Sequence, residues 1–128
     1  MASAGSAAGA GSSCAAGQGD GLELILTSCH ADDAPTLAAA LIEQRVAACV
    51  STIPGAQSTY RWQGQVCHEA EALLLIKTTR ERRPACVAAL ERVHPYDVPE
   101  VVVLDATHTS PAYLRWAIAS VRGPDGED

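Results

Sequence analysis

Residues 47–78, AACVSTIPGAQSTYRWQGQVCHEAEALLLIKT, decide the fold that we predict for this chain. The pattern of residues 47–53 predicts a strand. A Pro-Gly pair then ends or bulges this strand, and residues 57–62 resume an extended pattern. Gly64 then marks a turn. Residues 66–78 begin polar and become almost wholly apolar, which is typical of a strand covered on both faces. The stretch therefore predicts a long β-hairpin.

The second strand of this hairpin is long for a domain of about 100 residues. At about 3.3 Å per residue, the extended run 66–78 spans roughly 40 Å. The outer half of the hairpin then needs a further pairing partner, and a second copy of the same chain is the simplest supplier. We therefore predict an oligomer joined through strand edges.

The elements on both sides of the hairpin complete a β-α-β-β-α-β order with an added C-terminal helix. Upstream, the pattern predicts a strand at 22–28 and a helix at 34–46; downstream, it predicts a helix at 80–93, a strand at 100–106 and a helix at 111–121. This order is typical of the α+β class and of the ferredoxin-like, split β-α-β fold. We expect one four-stranded antiparallel sheet with helices on one face.

Composition limits the kinds of partner that the chain can bind. Its 128 residues fit one compact domain, and its net charge of −6 disfavours nucleic acid and anionic membrane surfaces. No window approaches the roughly twenty apolar residues of a membrane span. Five cysteines, an odd number without a C-x-x-C pair, favour a reducing cytoplasm over a disulfide framework. We predict a cytoplasmic protein without nucleic-acid or membrane partners.

The two ends of the chain differ in composition from its centre. Residues 1–21 are almost wholly Ala, Gly and Ser and lack both the apolar stretch of a secretory signal and the arginines of a mitochondrial presequence. Such a segment buries too little surface to offset its ordering entropy, so we predict a disordered leader. The predicted domain covers 22–122, and residues 123–128 form a flexible tail.

Three residues are candidate metal ligands. Cys29 and His30 follow the first strand, and a thiolate with an imidazole suits copper or zinc better than magnesium or calcium. His94 precedes a proline, so a constrained backbone holds its ring. A structural interpretation stays open for two of them, because Cys29 can be a small apolar residue at a strand end and His94 can satisfy the last carbonyls of a helix.

A second group of residues is a candidate cleft or interface. Tyr60 and Trp62 share one face of their strand, where they either line a cleft between subunits or pack one protomer on the next. Lys77, the only lysine, either pairs with a carboxylate such as Glu100 or Asp97 or binds an anion. The chain has no P-loop and no G-x-G-x-x-G, G-x-S-x-G or H-E-x-x-H motif, so we predict no enzymatic activity.

Four motifs together resemble a known family. They are R-x-A-A-C ending at Cys49, the hairpin motif P-G-x-x-S-x-Y-x-W-x-G, K-T-T at Lys77, and H-P-Y-x-V-P-E from His94 to Glu100. In order and spacing they are similar to the CutA divalent-cation-tolerance proteins over about residues 24–120. The resemblance implies a cytoplasmic trimer of PII-like architecture that is linked to tolerance of copper and other divalent metals and is able to bind copper.

Three hypotheses about function follow. The first is a homotrimer that binds copper or another divalent cation, without an organic cofactor, through Cys29, His94 and His30. The alternative is a PII-like sensor or adaptor that binds an anion or metabolite at subunit clefts near Tyr60, Trp62, Lys77, Tyr96 and Glu100. The third is an enzyme on the same architecture with His94 as a proton-transfer group.

Overall fold

Four strands form one antiparallel sheet in the order β2-β3-β1-β4 in the computed structural model, which describes residues 21–122. The strands are β1 (Leu22–Cys29), β2 (Cys49–Trp62), β3 (Gln65–Thr79) and β4 (Val102–Asp105). β1 pairs with both β3 and β4, and β2 pairs with β3. This order confirms the predicted ferredoxin-like α+β fold.

Three α-helices accompany the sheet: α1 (Ala34–Glu43), α2 (Arg83–Val93) and α3 (Pro111–Ser120). A proline lies in the first turn of each helix, where the missing N–H is not needed as a donor. A short 3₁₀ turn, Ala31–Asp33, connects β1 to α1.

The hydrophobic core lies between the sheet and the helices α1 and α2. Strand residues contribute by alternation, so every second side chain of β1 and β3 points to the helices. Most core residues lie in β1, β3, α1 and α2, and residues after α1 complete the core. The members in these four elements are Ile25, Cys29, Ala34, Leu37, Leu41, Ala72, Leu74, Ile76, Cys86, Ala89 and Leu90. Cys86 is fully buried in this core.

The opposite face of the sheet, which we call the open face, is also apolar in the half where β1 pairs with β3 and β4. Register places Leu24, Leu26 and Leu75 there, beside Val102 and Leu104 of the edge strand β4. Val102 and Leu104 are 43% and 47% exposed. Exposed, contiguous apolar surface of this kind is typical of protein interaction sites.

The β2–β3 hairpin extends well beyond the rest of the sheet, as predicted. Pairing of β3 with β1 ends at the pair Cys29 and Ala72, so among the described strands residues 65–71 of β3 pair only with β2. A bulge interrupts the β2–β3 register between Ile53 and Ala56. Gly64 in the turn has φ of 80°, a conformation that suits glycine.

Several predicted boundaries were wrong by two or three residues. α1 ends at Glu43 instead of residue 46, because Arg45 has a left-handed backbone with φ of 58° that stops the helix. α2 begins at Arg83 instead of residue 80, and β4 has only four residues. Asp33 makes no side-chain capping bond.

Cys49 lies on the open face of the sheet, opposite Lys77. It is half-buried, and Lys77 donates a hydrogen bond to its Sγ at 3.7 Å. The predicted leader, apart from Gly21, and the predicted tail 123–128 lie outside the described residues. Between residues 21 and 122, no helix has the length and apolar character needed to cross a membrane.

Two arginines after β3 form a network of ion pairs at the end of the sheet away from the hairpin turn. Arg83 Nε lies 2.8 Å from a carboxylate oxygen of Glu23, and Arg80 reaches both Glu23 and Asp105, at 3.4 and 2.8 Å. Glu23 is buried, so these cations supply the countercharge that its carboxylate requires.

Two buried threonines give a matched stability test of hydrogen bonding. Thr78 donates to the carbonyl of Val46 at 2.7 Å, whereas the Thr27 hydroxyl has no partner among the described residues. Both side chains are fully buried. We expect Thr27→Val to raise the free energy of unfolding by about 1 kcal/mol and Thr78→Val to lower it by about 1 kcal/mol, measured by urea denaturation. Equal losses in both variants would contradict this assignment.

Candidate functional site

A cavity of about 600 Å³ lies on the open face beside the outer half of the hairpin. The end of β1, the outer parts of β2 and β3, and the segment after α2 form its walls. We call it the acidic cleft, because it is lined by the carboxylates of Glu69, Glu71, Asp97 and Glu100 and by the aromatic residues Tyr60, Trp62 and Tyr96.

Strand alternation explains why these side chains meet. The pairing register sets Ser58 opposite Glu69, and Tyr60 and Glu71 lie two residues further along their own strands on the same face. The Tyr60 hydroxyl donates to Glu69 Oε1 at 2.8 Å. This bond to a carboxylate raises the pKa of Tyr60 to about 12, so the phenol stays protonated.

Glu71 is the most buried carboxylate of the cleft, with 6% of its surface exposed. The Tyr96 hydroxyl donates to its Oε2 at 2.5 Å. Burial acts to raise the pKa of Glu71, but hydrogen bonds from Tyr96, Ser58 and Ser28 together outweigh burial and lower it. The carboxylate is therefore ionised at neutral pH. Burial and the bond to Glu71 raise the pKa of Tyr96.

The lining of the cleft has one sign of charge. Four carboxylates and the imidazole of His30 line it, together with neutral residues, and none of its lining residues is a lysine or an arginine. A concave surface lined by carboxylates concentrates cations and repels anions. The cleft is therefore suited to a positively charged ligand.

Both ring nitrogens of His94 are used inside the protein. The backbone N–H of Tyr96 donates to Nδ1 at 3.1 Å, so Nδ1 is the acceptor and the ring proton is on Nε2. Nε2 then donates to the carbonyl of Ser28 at 2.9 Å. His94 is 7% exposed, and it would have to give up one of these bonds to bind a metal.

Cys29 ends β1 on the core side of the sheet, not in a loop as the sequence suggested. Burial raises the pKa of its thiol, and the negative charges of Asp33 and Glu71 raise it further. The thiol is therefore protonated at neutral pH, and a metal ion would have to displace the proton.

His30, the third predicted ligand, is exposed and lines the cleft. Its ring packs edge-on against Tyr96, with centroids 5.6 Å apart. Cys29 and His30 therefore lie in different environments, one in the core and one at the cleft. In residues 21–122, no group of three or more His, Cys, Asp or Glu side chains is arranged to hold a metal ion.

Four of the five residues predicted for a cleft or interface line this cavity: Tyr60, Trp62, Tyr96 and Glu100. Glu100 accepts a hydrogen bond from the Ser28 hydroxyl at 3.2 Å. Lys77 does not line the cleft; it contacts Cys49 and Ser51 elsewhere on the open face. Sequence reasoning missed Glu69 and Glu71, although two carboxylates at alternate positions of a strand indicate one acidic face.

The fold and the cleft define an α+β protein with a ligand-sized acidic cavity, and three comparisons with known proteins agree on its relatives. A relative from Thermus thermophilus, named divalent-cation tolerance protein CutA, is 43% identical over 95 residues, which is 73% of this chain and 92% of the relative. The structure titled CutA from Synechococcus elongatus is 40% identical, with a TM-score of 0.77 over 80% of this chain and 92% of that chain. The PII-like protein CutA from a Nostoc species is 27% identical, with a TM-score of 0.74 over 78% and 97%.

The family assignment follows directly. Residues 23–120 match the family described as CutA1 divalent ion tolerance protein. The chain belongs to this family, and its architecture is PII-like. The resemblance found in the sequence motifs is confirmed.

The hydrogen bond from Tyr96 to Glu71 predicts how the stability of the fold depends on pH. The ordinary pKa of a glutamate is 4.5, and the lowered value in the folded protein means that Glu71 stabilises the fold fully above that pH and loses this effect as the pH falls through the lowered pKa. We expect Tyr96→Phe to raise the pKa of Glu71, measured by NMR of its side-chain carboxyl carbon. The loss of stability should be largest near neutral pH and should shrink in acid.

Tyr113→Phe is the matched control, because Tyr113 lies on α3 and does not line the cleft. An unchanged Glu71 titration in Tyr96→Phe would contradict the assigned role of the hydrogen bond.

Proposed function

We propose that this chain is a cytoplasmic homotrimer that binds copper or another divalent cation at the acidic cleft and thereby contributes to cation tolerance. The observation that carries the proposal is the charge of the cleft, which has four carboxylates and no lysine or arginine among its described lining residues. Membership of a family named for divalent ion tolerance supports it. We assign no catalytic step to the chain.

The three predicted ligands enter this proposal in different ways. His30 already lies at the cleft and has an exposed imidazole, so it can act as a ligand without rearrangement. Cys29 and His94 lie deeper, and each must first exchange a proton or a hydrogen bond for the metal. A second subunit at the cleft would supply donors that one chain does not bring together.

The homotrimer is supported by two surfaces of the single chain. The open face presents half-buried and exposed aliphatic residues, and the outer half of β3 has one strand neighbour within residues 21–122. A chain with these features gains core by packing its open face, and pairing its outer hairpin, with further copies of itself.

A copper titration of the purified full-length protein tests the ligands. We expect His30→Ala to weaken Cu(II) binding at least tenfold, about 1.4 kcal/mol, with smaller or slower effects for Cys29→Ser and His94→Ala. Isothermal titration calorimetry measures the affinity and the stoichiometry. His108→Ala, which changes an exposed histidine outside the cleft, is the control. Unchanged affinity and stoichiometry in all three ligand variants would overturn the assignment of these residues as ligands.

Light scattering tests the homotrimer independently. We expect a mass three times that of the 13.3 kDa chain. Val102→Glu buries a charge in the proposed contact and should shift the mass towards one chain, whereas Thr36→Glu, on the exposed side of α1, should not. A wild-type mass of one chain at micromolar concentration refutes the proposal.

The PII-like sensor is the second candidate function, and the size of the cavity favours it. About 600 Å³ exceeds the space of a bare ion and fits a small organic molecule. From the sequence, the predicted ligand of such a sensor was an anion or a metabolite. The charge of the cleft and the position of Lys77 outside it favour a cation instead.

A further inference from the structure

We propose that the acidic cleft binds a small organic ammonium ion, with the carboxylates of Glu71 and Glu100 as countercharges and Tyr60, Trp62 and Tyr96 as its aromatic walls. The inference rests on the proposed function in one respect, that the cleft attracts cations. It goes beyond that function in naming an organic ligand and in using the aromatic residues, which a metal ion does not require.

The first argument is a buried negative charge that forms no ion pair among residues 21–122. Glu71 is 6% exposed, yet the ion pairs among residues 21–122 join only Glu23 and Asp105 to Arg80 and Arg83. Buried carboxylates in proteins are normally paired with a cation or bound to a metal. Glu71 is stabilised by hydroxyl groups and, more weakly, by the charge of His30, and it faces a cavity. A cationic ligand would complete its environment.

The second argument is the distribution of the carboxylates. A metal ion requires several donor atoms converging within about 2.0–2.6 Å of one point. In the described part of the chain, no three His, Cys, Asp or Glu side chains converge in this way. The four carboxylates instead lie around a volume of about 600 Å³, which is within the range of small-molecule sites. This arrangement suits an organic cation, which is large enough to fill much of the cavity, better than a bare metal ion.

The third argument is the concentration of aromatic residues. The chain has no phenylalanine, three tyrosines and two tryptophans, and three of these five residues line the cleft. Tyr60 and Trp62 are 40% and 48% exposed in the single chain, where both residues border the cavity. An organic ammonium ion is attracted to aromatic rings within about 6 Å, and aromatic cages are a common way to recognise quaternary ammonium compounds. Neither an anion nor a neutral apolar molecule uses both the rings and the carboxylates.

The test uses choline as the probe and its neutral isostere 3,3-dimethylbutan-1-ol as the matched control ligand. Calorimetry is performed on the full-length protein in EDTA, so that metal binding does not contribute. We expect saturable choline binding and at least tenfold weaker binding of the alcohol, which has the same shape without the charge. Equal affinity for the two ligands, or no saturable choline binding up to about 10 mM, overturns the proposal.

Variants then assign the contacts. We expect Trp62→Leu and Glu71→Gln each to weaken choline binding at least tenfold, whereas Trp116→Leu, which changes an aromatic residue outside the cleft, leaves it unchanged. Circular dichroism and light scattering verify fold and mass. Trp62→Leu that changes the mass but not choline affinity would show that this ring serves subunit packing, and would overturn its role as a wall of the site.

The outcomes separate this inference from the proposed function. Loss of copper binding in His30→Ala with intact choline binding supports both proposals. Choline binding without any copper binding leaves this inference standing and overturns the metal proposal, and copper binding without choline binding does the reverse.

Discussion

Alternation of side chains along β3 is the constraint on which the rest of the structure depends. Leu74 and Ile76 point to α1 and α2 and form the core, while Glu69, Glu71 and Leu75 point to the open face. A shift of one residue in the pairing would move the two carboxylates off the open face and turn the core leucine away from the helices. The core, the apolar half of the open face and the acidic cleft are therefore three results of one register.

The hydrogen bonds around the cleft connect its chemistry to the fold. The ring of His94 joins the carbonyl of Ser28 at the end of β1 to the backbone of Tyr96, and the Tyr96 hydroxyl in turn holds Glu71 on β3. Two of these bonds fix the segment after α2 to β1 and β3, and the third joins Tyr96 to His94 within the segment. A histidine that looked like a metal ligand in the sequence has a positioning role in this arrangement, since it orients the tyrosine that lines the cleft.

Much of the fold was predictable, because it depends on periodic patterns. The apolar run 72–76, the turn at Gly64 and the prolines at the helix starts each indicate one structure, and the order of elements fixes the topology. Boundaries were less predictable where one backbone angle decides them, as at Arg45, whose left-handed conformation no local pattern indicates. The candidate site was only partly predictable, since it depends on contacts between distant segments. Tyr60, Trp62 and Glu100 were predicted as cleft or interface residues, and they do line one cavity. The charge of this cavity emerges only when β2, β3 and the segment after α2 are brought together.

The length of β3 also separates opposite charges. Glu69 and Glu71 lie in its outer half, and nine residues after Glu71 the chain reaches Arg80, roughly 30 Å away along an extended strand. The arginines Arg80, Arg82 and Arg83 follow the inner end of β3, whereas the outer end lies beside the four carboxylates of the cleft. These carboxylates attract an approaching cation to one end of the strand, and the rate of its association there therefore decreases with ionic strength.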